Sequence, residues 1–216
     1  MAARENILAR IRARQGKPAA ASAEESEAVQ SYIRSRPQHA RPRSDWELRA
    51  RFRERALGLA STVDEVATLA DVPAAVARYL NSKSLPLAAA CWADFAALDW
   101  RSAGIEVAAR AALDSDPVGI TGAFCAIAET GTLMTVSGPG TPATASLLPE
   151  THVAIVSASR VVRGMEEAWQ LMREELKSPP RAVSFISGPS RTADIEQTVT
   201  LGAHGPYRVH ILLIIN

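Results

Sequence analysis

Apolar runs of strand length alternate with amphipathic stretches of helix length through most of this 216-residue chain, and this alternation constrains its fold more than any other feature. The runs at 85–92, 105–109, 153–157, 182–187 and 209–214 are short apolar runs of strand length. Between them, Asp71 is positioned to cap a helix that turns Val72, Val76, Tyr79 and Leu80 inward, with Pro73 tolerated in its first turn. Residues 164–177 place Met165, Ala168, Trp169 and Met172 on one helical face, and Ser44-Asp45 precedes a helical pattern through Trp46, Leu48, Phe52 and Leu57. Such alternation predicts an α/β fold, a mostly parallel sheet covered by helices. One stretch departs from it. Residues 118–137 hold two apolar runs joined across Ala128-Glu129-Thr130-Gly131, the pattern of a hairpin or bulged pair, with Gly131 supplying a positive φ.

The formal net charge of +1 conceals two unlike segments. Residues 1–55 carry 13 Lys+Arg against 7 Asp+Glu, and residues 56–216 carry 11 against 16. At the start, Ile7, Leu8 and Ile11 share a helical face, whereas residues 16–43 show little apolar periodicity. The expected organisation is a basic N-terminal arm over 1–43, helical at first and mobile after, followed by an α/β domain over 44–216. Glu5, Glu24, Glu25 and Glu27 dilute the arm's charge, which favours a solvated extension, packed on the domain or on a neighbouring subunit of a homo-oligomer, over an anion-binding tail.

Composition excludes several functions. Cys91 and Cys125 are the only cysteines, half the usual complement of an iron–sulfur cluster, and the four histidines lack zinc-site spacing, so no metal is expected on this chain. Near-neutral charge and 5% aromatic residues argue against nucleic acid as a partner. No run approaches the roughly 18 apolar residues of a membrane span, and no secretory leader precedes the first helix, so reduced cysteines and a cytoplasmic location are expected.

Glycines and hydroxyls gather in two blocks. The first holds Thr121, Gly122, Glu129, Thr130, Gly131, Thr132, Ser137, Gly138, Gly140 and Thr141; the second holds Ser187, Gly188, Ser190, Arg191, Thr192, Asp194, Glu196 and His204. Ser137-Gly138-Pro139-Gly140 and Ser187-Gly188-Pro189-Ser190 each directly follow a predicted strand. Loops at the carboxyl ends of parallel strands form the ligand crevice of open α/β sheets, and exposed amides beside hydroxyls suit carboxylate or phosphate oxygens. The two loops are therefore expected to line one small-anion crevice. Arg191 offers a bidentate fork for a carboxylate, with a local ion pair to Asp194 or Glu196 as the equal alternative. Glu129, between apolar segments, suits proton transfer or nucleophilic attack, and His204 suits acid/base chemistry. His152 and His210 fall in or beside strands and are expected to be structural; Cys125 is expected to be buried packing.

Several stretches together resemble the LUD-domain family, and within it the lactate utilization protein C branch. These are Gly119-Ile120-Thr121-Gly122-Ala123, Ile127-Ala128-Glu129-Thr130-Gly131-Thr132-Leu133, Ser137-Gly138-Pro139-Gly140, Leu148-Pro149-Glu150-Thr151-His152, Ile186-Ser187-Gly188-Pro189-Ser190-Arg191-Thr192-Ala193-Asp194-Ile195-Glu196 and Leu201-Gly202-Ala203-His204-Gly205-Pro206. The resemblance runs from about residue 55 onward and is dense over 117–206. It implies a fold similar to the sugar-phosphate isomerase and CoA-transferase group. It also implies a part in oxidising L-lactate to pyruvate alongside partner proteins that carry the iron–sulfur clusters, this chain binding no cofactor of its own. Glu129 looks like the glutamate that forms the acyl-enzyme in CoA transferases, with Thr130 where those enzymes usually carry Asn. A stand-alone CoA-transferase-like or isomerase-like enzyme using Glu129, and a non-catalytic sensing or assembly module, are the alternatives.

Overall fold

The computed structural model describes all residues except Met1, Ala19, His39 and 194–196. Contacts divide the chain into Met1–Arg43 and Ser44–Asn216. The first unit holds α1 (Ala2–Gln15) and α2 (Ala23–Ser35). The second helix lies where an irregular stretch was expected. Its origin is local: Ser22 Oγ accepts the Glu25 amide at 3.0 Å while the Glu25 carboxylate accepts the Ser22 amide at 3.2 Å, a reciprocal capping box. Val29, Tyr32 and Ile33 form a helix-spaced stripe that is exposed, which is why hydropathy alone gave no sign of burial there.

The second unit runs α3 (Leu48–Gly58), β1 (Thr62–Val66), α4 (Val72–Ser82), β2 (Ala88–Cys91), β3 (Glu106–Ala109), β4 (Val118–Gly122), β5 (Cys125–Ile127), β6 (Thr132–Val136), β7 (Thr151–Ser157), β8 (Val161–Val162), α5 (Met165–Glu175), β9 (Val183–Ile186), β10 (Arg191–Thr192), β11 (Thr200–Leu201) and β12 (Arg208–Ile214). Six strands pair in the order β1-β12-β7-β4-β2-β3, every neighbour parallel. The chain lays down one edge first, crosses to the other, and fills inward, so that the last strand, β12, closes the sheet between β1 and β7. Being flanked on both sides explains its unbroken Val-His-Ile-Leu-Leu-Ile run.

Helices cover both faces of this sheet. Val72, Val76 and Leu80 of α4 pack on Ile120, Val153, Ile155 and Leu212; Phe52 and Ala56 of α3 pack on Ala154, Val156, Ile211 and Leu213. Fully burying one such side chain contributes about 1.5–3 kcal/mol, so these two layers dominate the stability of the unit. The start of α3 differs from expectation. Glu47, rather than Ser44-Asp45, is the cap, its carboxylate accepting the amides of Arg49 and Ala50 at 3.0 and 2.6 Å. Asp71 precedes α4, but its carboxylate accepts the Thr68 amide and hydroxyl, both at 2.8 Å, and so caps the preceding turn.

The departure from alternation at 118–137 divides between two sheets. β4 belongs to the parallel sheet, while β5 and β6 form a hairpin inside a second sheet of order β8-β5-β6-β9. In it β6 is antiparallel to both β5 and β9. Ala168 and Met172 of α5 pack against Cys125, Ile127 and Met134 of this sheet.

Candidate functional site

The turn between β5 and β6 is built to lie on a helix. Gly131 donates its amide to the Ile127 carbonyl at 2.9 Å and has φ +72°. A Cβ there would stand 2.5 Å from the Ala56 amide nitrogen, so only glycine lets the turn rest against the last turns of α3. Pairing of Leu133 with Ile186 then sets Thr132 opposite Ser187. The consequence is a line of hydroxyls. Thr130 Oγ1 donates to Thr132 Oγ1 at 2.8 Å, and Thr132 Oγ1 lies 2.7 Å from Ser187 Oγ. Thr132 is buried and Ser187 exposed, so the line leads from the interior to the surface.

Gly188 continues the arrangement, with φ +82° and a Cβ position 2.3 Å from the Leu59 carbonyl oxygen. Arg191 is exposed and donates from Nη2 to that same carbonyl at 2.8 Å. Thr130, Gly131, Thr132, Ser187, Gly188 and Arg191, drawn from both sequence blocks, therefore meet at the C-terminal end of α3. Hydroxyls that can donate or accept, with an exposed guanidinium held on the Leu59 carbonyl beside Gly188, suit a small carboxylate or phosphate.

The remaining candidates lie elsewhere. Glu129 is half-buried and donates its amide to the Arg163 carbonyl at 3.0 Å. Its Oε2 lies beside Gly164 at the start of α5: a Cβ on Gly164 would be 3.1 Å from Glu129 Oε2 and 3.1 and 3.3 Å from the Oε2 atoms of Glu167 and Glu166. Helix-start amides favour negative charge, but three carboxylates share this one. His204 is exposed in the turn before β12, next to the strip where Ser190 donates its amide to the Pro206 carbonyl and accepts that of Gly202, both at 2.9 Å. Asp194 and Glu196 lie outside the described residues.

The first Ser-Gly-Pro loop closes on itself. Ser137 Oγ accepts the Ala182 amide at 2.9 Å, and Thr141 Oγ1 donates to the Val136 carbonyl at 3.0 Å. Gly140 accepts the Ala93 amide at 3.4 Å, and Gly138 and Pro139 are exposed. The two loops do not face each other. Because β6 and β9 are antiparallel, Ser187 sits at the Thr132 end of the pair and Ser137 at the Val136 end, about 16 Å away at the usual rise per residue. A shared crevice requires both strands to point the same way, and they do not.

Thr121 and Gly122 belong to neither loop. Thr121 is fully buried, its Oγ1 2.7 Å from His152 Nε2, and Gly122 lies beneath the ring of Phe95. Burial lowers the His152 pKa to about 4, so the imidazole is neutral. The Thr121–His152 pair and the Leu59 carbonyl escaped the sequence, since each depends on which strands or helices become neighbours. Both cysteines are buried, in different clusters, and burial raises the Cys91 thiol and takes that of Cys125 to about 11, far from the thiolate form that ligates metals. Among the described residues no helix is long and apolar enough to cross a membrane.

Comparison with known proteins places this architecture. The LUD domain matches residues 47–214, and the chain belongs to the LUD domain family. Its relatives include proteins named lactate utilization protein C. The one from an Exiguobacterium species is 42% identical over 119 residues, 53% of this chain and 51% of that protein. The one from Bacillus subtilis is 36% identical over 100 residues, 45% of this chain and 42% of that protein. The matched segment thus spans about half the length of these curated relatives. The crystal structure of a DUF162 family protein from Deinococcus radiodurans superposes with a TM-score of 0.59 at 26% identity, covering 80% of this chain and 99% of that one.

Proposed function

We propose that this chain is a component of a cytoplasmic L-lactate utilization system, in which L-lactate is oxidised to pyruvate together with partner proteins that carry iron–sulfur clusters. The observation that carries this reading is the similarity to proteins named lactate utilization protein C. The donor set supports the division of labour: two buried thiols in different clusters do not make a cluster site, which fits iron–sulfur clusters carried by partners. The contribution of this chain is to hold a small carboxylate or phosphate, with Arg191 as the charged end and the Thr130–Thr132–Ser187 line as the neutral donors. An enzyme acting alone through Glu129 has less support, because Glu166 and Glu167 crowd the same helix start and oppose a second anion there.

Deletion of the gene and affinity purification of the tagged chain from lactate-grown cells test the reading together. Growth on L-lactate is expected to fail and to return with the intact gene, and the tagged chain is expected to recover proteins with iron–sulfur absorption. Unimpaired growth of the deletion strain, with nothing recovered, contradicts it.

A further inference from the structure

A second polar cluster lies away from the hydroxyl line, at the amino-terminal ends of the central strands and on the opposite face of the sheet, under α4. Thr151 of β7 and Arg208 of β12 are register partners, and His210 follows Arg208 on the same side of its strand, paired with Thr62 of β1. Tyr79 of α4 stacks on the His210 ring with centroids 3.8 Å apart and planes 4° from parallel. Thr62 Oγ1 lies 2.8 Å from His210 Nδ1.

Three buried polar atoms in this cluster lack a hydrogen-bond partner among the described residues: Thr151 Oγ1, Arg208 Nη1 and His210 Nε2. Thr151 and His210 are themselves almost wholly buried, at 0% and 1% exposure. The nearby carboxylates do not satisfy the cluster. Glu150 Oε2 is 3.8 Å from Arg208 Nη1 and Asp64 Oδ2 is 3.9 Å from His210 Nε2, both beyond hydrogen-bonding distance, and both carboxylates are exposed. The final carbonyls of α4 do not compete either, because Tyr79, Leu80 and Asn81 already accept the amides of Lys83, Ser84 and Leu85.

Unpaired buried donors are rare in folded proteins and call for a ligand, an ion or a water. In the tautomer in which Thr62 donates to Nδ1, the imidazole presents N–H at Nε2, and it then joins the Arg208 guanidinium and the Thr151 hydroxyl as a group left to donate. We propose that Arg208, Thr151 and His210 form a binding site for a small oxyanion, a carboxylate or phosphate group, at the amino-terminal end of the sheet. The site is independent of the hydroxyl line and of the reading given above for it. Arg208 supplies the charge-assisted bonds, Thr151 and His210 fix the orientation, and Tyr79 holds the imidazole plane.

The test uses the full chain, titrated with potassium phosphate and with sodium acetate against chloride at matched ionic strength. Melting temperature and the ring signals of the four histidines are followed by calorimetry and NMR. Saturable stabilisation with movement of the His210 signals is expected; the stronger of the two anions identifies the ligand group. Arg208→Gln is expected to weaken binding by about tenfold or more, Arg208→Lys less, with the melting temperature in chloride little changed. Thr151→Val, which keeps the buried shape, is expected to weaken it severalfold and serves as the second probe if Arg208→Gln does not fold. Stabilisation no greater than that by chloride, His210 signals that stay fixed, or equal binding by wild type, Arg208→Gln and Thr151→Val would overturn the proposal.

Discussion

The two Ser-Gly-Pro loops share a local sequence and differ in what holds them. The loop at 137–141 ties its hydroxyls and carbonyls to its own strand, to Ala182 and to Ala93, and its glycine at 138 has an ordinary φ, with only the Thr141 hydroxyl close to its Cβ position. The loop at 187–191 is pressed against the end of α3, needs a left-handed glycine, and joins a hydroxyl line that begins in another turn. A Ser-Gly-Pro turn is therefore not a site by virtue of its sequence. It becomes a candidate only where tertiary packing leaves its polar groups aligned with others.

Adding one methyl group to each glycine separates the two loops most strongly. Gly188→Ala places a Cβ 2.3 Å from the Leu59 carbonyl oxygen in a left-handed residue and is expected to cost about 4 kcal/mol in urea unfolding. Acid sets the loops apart differently. Gly119, directly across from His152, lies under the Ala145 carbonyl, so the run following the first loop covers that histidine. With its folded pKa about 4, below the ordinary 6.5, His152 takes up its proton more readily in the unfolded chain. Stability is then complete above pH 6.5 and falls as pH drops towards 4, by roughly 3 kcal/mol for this group. Hydrogen exchange between those values is expected to rise at 138–146 before it rises at 186–191.

Legibility from sequence followed the range of the interaction. The α/β class, the buried face of α4 and the hairpin at Glu129-Thr130-Gly131 rest on periodicity and local turn chemistry, and these appear in the structure at or near the expected residues. The capping box at Ser22 was equally local but sat in a polar stretch whose apolar spacing is confined to Val29, Tyr32 and Ile33, which masked α2. The site was less legible. That Thr130, Thr132, Ser187 and Arg191 meet depends on β6 pairing with β9 and on Gly131 and Gly188 lying against the end of α3, and no local signal encodes either. The direction of β9 was the decisive unknown: the parallel choice brings the two loops together, and the antiparallel one separates them.

Smaller effects sharpen the contrast. Thr132→Val removes the centre of the hydroxyl line, leaves Thr130 without its acceptor, and is expected to cost about 1–2 kcal/mol in the same unfolding assay. Gly138→Ala meets only the Thr141 hydroxyl at 3.1 Å and is expected to stay within about 0.5 kcal/mol of wild type. If Gly138→Ala matched Gly188→Ala, the distinction between the loops would be lost.

The proposed ligand engages one Ser-Gly-Pro loop, that at 187–191, and not both. Hydrogen exchange of the full chain, followed by mass spectrometry during titration with L-lactate and then pyruvate, tests that directly. Saturable protection at 130–132 and 186–191, with 137–141 unchanged, is the predicted result. Protection of 137–141 together with 186–191, or of neither, would contradict it.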